Sequence, residues 1–60
     1  MTYQTPNEAL SMQTEDQHVW RYSTTNGEVR YLLAPDMHEA AQLAYVLSKP
    51  NVLQDITLYE

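Results

Sequence analysis

The chain has 60 residues, 3 of them basic and 8 acidic, for a formal net charge of −5, and it contains no cysteine. That length leaves room for one domain. The absence of cysteine excludes disulfides and thiolate metal sites as props for a core that, at this size, buries only about 60% of the unfolded surface.

Residues 1–17 are polar and are expected to be a flexible N-terminal segment. Within it Thr5-Pro6-Asn7-Glu8 has the pattern of a capping box with proline at the first helical position. It predicts a short helix to about Gln13, too short to stand alone.

Residues 18–60 read as a ββαβ domain. His18 to Thr25 alternates and is rich in β-branched and aromatic residues, and Glu28 to Ala34 is its return strand. Asn26-Gly27 between them predicts a two-residue type I′ hairpin turn. The expected register sets Thr24 against Val29, Tyr22 against Tyr31 and Trp20 against Leu33, as one aromatic core face. The opposite face then carries Val19, Arg21, Ser23, Glu28, Arg30, Leu32 and Ala34.

Pro35 ends the second strand. Asp36, with Glu39 three residues on, predicts the N-cap of a helix running to about Ser48. Met37, Ala40, Ala41, Ala44 and Leu47 form its apolar stripe, with Leu43 and Tyr45 at the borders. Glu39, Gln42 and Val46 face away. Ile56 to Glu60 alternates as a last strand, with Ile56 and Leu58 inward and Val52 and Leu53 closing the core. A right-handed crossover places this strand beside the first. The expected fold is α+β, an (α)-β-β-α-β chain with a three-stranded sheet in the order 2-1-3 and one main helix on one face.

Catalytic and metal chemistry find little here. Glu15, Asp16, His18 and His38 follow none of the zinc-ligand spacings. Ser11, Ser23 and Ser48 lack an elbow or triad context, and the one glycine is committed to the turn, so no phosphate cradle forms. Asp36 and Glu39 are explained as helix caps. The expectation is a non-enzymatic protein without cofactor or metal.

Three cations, Arg21, Arg30 and Lys49, are too few to grip a phosphate backbone, so direct nucleic-acid binding through Trp20, Tyr22 and Tyr31 is not expected. Residues 1–17 contain no Lys, Arg or apolar run, unlike a secretory signal, and no apolar stretch nears the ~20 residues of a membrane span. A cytoplasmic location without membrane association is expected.

What remains is protein binding. Val19, Arg21, Arg30 and Leu32 lie on the face the helix leaves uncovered, and the second strand is a sheet edge. A homodimer or a larger protein partner fits these features. The alternative is an acidic inhibitor of the phage or mobile-element type, a DNA mimic blocking a basic nucleic-acid-binding protein. Glu15, Asp16 and Glu39, with Glu8, Asp36, Asp55 and Glu60, would supply its charges.

Overall fold

The computed structural model of the protein describes residues 1–59. The elements run α1 (Pro6–Ser11), β1 (His18–Thr24), β2 (Val29–Ala34), α2 (Met37–Ser48) and β3 (Leu53–Leu58). Both neighbours of β1 are antiparallel to it, in the sheet order β2-β1-β3. The α+β class and the 2-1-3 order are thus as the sequence predicts. Glu60, assigned above to the last strand and to the acidic set, lies outside the described residues.

The caps form as their residue types require. Thr5 accepts the Glu8 N–H at 3.3 Å and starts α1, with Pro6 directly after it. Asp36 accepts the Glu39 N–H at 2.9 Å and starts α2. These bonds satisfy donors that the first helical turn leaves without backbone partners.

The hairpin differs from the expected register by one residue. The pairs are Ser23 with Val29, Tyr22 with Arg30, Arg21 with Tyr31 and Trp20 with Leu32. The loop holds three residues, Thr25, Asn26 and Gly27. Gly27 N–H donates to Thr24 O at 3.0 Å, and Thr24 N–H donates to Glu28 O at 2.9 Å. Among the described residues only Gly27 has a positive φ, at 91°. This is a type I-like turn closed by a glycine bulge rather than a type I′ turn.

The shift exchanges the two faces of β2. Leu32 and Ala34 turn inward and join Trp20, Tyr22, Ala40 and Ala44 in the core, with Leu43, Leu53 and Ile56 packed against them. Trp20 spans this layer, its indole N–H donating to the Ala34 carbonyl at 3.0 Å. The buried stripe of α2 is Ala40, Ala44 and Ser48, so Met37 and Leu47 sit at its exposed margins. On β3, Leu53 and Ile56 reach the core, whereas Leu58 and Val52 stay exposed.

The second face has its own cover. Tyr3 pairs with Tyr31 through two backbone bonds of 2.8 and 2.9 Å, along the outer edge of β2. From there α1 packs on β1 and β2. Its Ala9 is fully buried, as is Val19, and both lie outside the cluster under α2. Strand alternation points Val19 away from α2, so α1 closes over it. Tyr59 and Tyr31 meet edge to face with centroids 5.6 Å apart, completing this smaller layer.

Candidate functional site

The register and the α1 cover relocate the residues expected to bind a partner. Leu32 is 0% exposed, on the strand face under α2, and Val19 is 1% exposed, on a strand of the sheet against which α1 packs. Neither can meet a partner in this fold, which corrects the expectation of an apolar, uncovered face. Arg21 remains exposed on the α1 side. Arg30 has moved to the α2 side, where it is half-buried and pairs with Glu28 at 3.0 Å. The two arginines therefore do not act together.

The acidic candidates separate into two groups. His18 pairs with Ala34, so Glu15 and Asp16, just ahead of β1, come to the same end of the sheet as Asp36 and Glu39 at the start of α2. The other described carboxylates are engaged elsewhere. Glu8 accepts the Thr5 hydroxyl, Glu28 holds Arg30 and the Asn51 amide, and Asp55 accepts the Ile56 N–H at 2.9 Å. Among the described residues no group of three His, Cys, Asp or Glu could hold a metal ion. No helix among them is long and apolar enough to cross a membrane.

Both sheet edges are protected. Tyr3 occupies part of the β2 edge. On β3 the register shifts opposite Ser23 and Thr24, which makes Gln54 a bulge residue. Tyr59 donates its N–H to Val19, so by alternation the Ile56 N–H points outward, and Asp55 caps it. Bulges and charged side chains are common devices against edge-to-edge pairing.

The open apolar surface lies instead at the corner where α2 gives way to β3. Tyr45, Lys49, Pro50, Asn51, Val52 and Leu53 line a mainly apolar groove of about 520 Å³. Tyr45 is 58% and Val52 65% exposed. The Lys49 ammonium sits over the Tyr45 ring, 4.7 Å from its centroid. Among the described residues that ammonium has no carboxylate partner. None of these residues was singled out as a binding residue from the sequence. The available signal is Tyr45 at the border, and Val46 on the outward side, of a helix whose apolar stripe is rich in alanine.

A smaller, polar cavity of about 200 Å³ adjoins the groove and shares Lys49 and Asn51 with it. Thr2, Tyr22, Thr24, Arg30 and Ser48 contribute to its walls. Burial pushes the Tyr22 phenol above its ordinary value of 10.0, opposed by the Arg30 charge and a hydrogen bond with Thr2. The cavity's hydroxyls are already used within the chain: Thr24 donates to Asn26 Oδ1, and Ser48 donates to the Tyr45 carbonyl at 3.0 Å.

No protein-family model, curated protein or solved structure matches the chain.

Proposed function

We propose that the protein is a non-enzymatic protein-interaction module that docks a partner on the corner formed by Tyr45, Lys49, Pro50, Val52 and Leu53. The observation that carries this is the exposed, mainly apolar groove of about 520 Å³, where Tyr45 and Val52, two of the exposed large apolar residues, come together beside Pro50 and Leu53. An aromatic residue beside proline and valine is the composition of an interface anchor, where a few residues supply most of the binding energy.

The acidic-inhibitor alternative draws on Glu15, Asp16, Asp36 and Glu39. A duplex carries one charge per about 1.7 Å of axis, or about twelve over a 20 Å face. Four carboxylates at one end of the sheet fall well short of that, and we place the docking corner first.

The test is affinity capture from the source organism with the wild-type chain and a Tyr45→Ala/Val52→Asp variant. A partner held by the wild type and released by the variant supports the assignment. The variant retaining the same partner, with its fold verified by circular dichroism, sinks it. Light scattering on the wild type identifies the case in which that partner is a second copy.

A further inference from the structure

Resting on the docking corner just described, we infer that its occupant is an acidic peptide segment of a partner protein. One aromatic or aliphatic side chain enters the groove, and a neighbouring carboxylate meets Lys49. The groove's volume falls within the roughly 300–1,000 Å³ of ordinary ligand clefts. Its walls of Tyr45, Pro50, Val52 and Leu53 ask for an apolar group.

The charge of the complement follows from Lys49. An ammonium is a donor with no acceptor capacity. Here it lies against an aromatic face, and no carboxylate of the described residues reaches it. Glu28, which bonds the groove residue Asn51 at 3.1 Å, is also committed to Arg30 at 3.0 Å. The acidic end around Asp36 and Glu39 lies at the far end of the strands. Six strand residues span about 20 Å, against a Debye length of about 8 Å at physiological salt. Its repulsion is therefore screened at the groove. A basic segment would set a second cation against Lys49, whereas an acidic one converts that exposed cation into a charge-assisted contact.

The experiment titrates the full isotope-labelled chain with Ac-Asp-Leu-Phe-Asp-NH2 and with Ac-Lys-Leu-Phe-Lys-NH2, followed by amide chemical shifts. The acidic peptide is expected to shift Tyr45, Lys49, Asn51 and Val52 saturably, and to bind about three- to tenfold more tightly than the basic one. Lys49→Glu is expected to reverse that order, and Lys49→Gln to abolish it; spectral dispersion verifies the fold of both. Equal binding of the two peptides, or a preference that survives Lys49→Glu, overturns the acidic assignment and leaves the docking corner standing. Absence of groove shifts with either peptide also overturns it. The corner itself fails only if the Tyr45→Ala/Val52→Asp variant keeps the wild-type partner.

Discussion

Asn26 separates the two hairpin geometries by the sign of a difference. In the observed loop only Gly27 has a positive φ, so Asn26 sits in ordinary right-handed territory. There alanine is the better substitute, because glycine carries about 0.5–1 kcal/mol of extra chain entropy that folding must remove. In a type I′ turn Asn26 would need a positive φ, and alanine would then be the worse by about 1–2 kcal/mol. Both substitutions delete the Asn26 carbonyl that accepts from Thr24 Oγ1 and the Glu28 N–H, so that loss cancels in the comparison. For a domain of this size 1 kcal/mol moves Tm by about 4–8 °C. Asn26→Ala is thus expected to melt about 2–8 °C above Asn26→Gly by circular dichroism. A glycine variant that melts above the alanine variant refutes the three-residue loop, and with it the register that buries Leu32 and Ala34.

Asp55→Ala removes the cap on the Ile56 N–H and opens the outer edge of β3. Self-association rising with concentration is expected by light scattering, and a variant as monomeric as the wild type would show that the bulge alone guards the edge. Tyr22→Phe tests the buried phenol. Its folded-state value is raised, so above pH 10 the unfolded chain loses the proton first. The resulting stability is present below pH 10 and is lost as pH rises through the higher folded-state value. Urea titrations between pH 8 and 11 are expected to show a shallower alkaline decline in Tyr22→Phe than in the wild type, and parallel declines would refute the assignment.

The parts of the fold legible in the sequence are those with local causes. Asp36 and Glu39 mark the start of α2 because their side chain and backbone satisfy each other three residues apart. Asn26-Gly27 marks a hairpin because glycine is needed somewhere in the loop. The same dipeptide serves two loop lengths, and they differ by one residue of register. That residue decides whether Tyr31 and Leu33 or Leu32 and Ala34 face the core. Tyr3 on the β2 edge has no local signature at all, since it depends on pairing across 28 positions. The alternation places Val19 on the face away from α2, but that it is buried depends on the packing of α1 against the sheet, which neither segment announces. The groove arises only where the end of α2 and the start of β3 meet. The sequence pattern places Tyr45 at the border of the α2 stripe and Val52 at the end of the core, whereas both are exposed in the folded chain.

Size explains why these unannounced contacts matter. A three-stranded sheet has two faces to cover and two edges to protect. A chain of 60 residues has only one twelve-residue helix for the task. Six residues of α1 cover the second face around Val19, and Tyr3 crosses the β2 edge on the way there. Asp55 and the Gln54 bulge then guard β3 without using further chain. Several large apolar residues stay exposed, and two of them, Tyr45 and Val52, gather at the corner where α2 gives way to β3. Burial there would add apolar contact to a core to which α2 gives only small fully buried apolar side chains, Ala40 and Ala44. A partner on this corner therefore stabilises the domain as it binds, by RT ln(1 + [L]/Kd), about 2.7 kcal/mol at a hundredfold excess over Kd. Binding at the corner and resistance to unfolding should rise together, and a partner that occupies Tyr45 and Val52 without raising Tm would not be binding the folded chain in preference to the unfolded one.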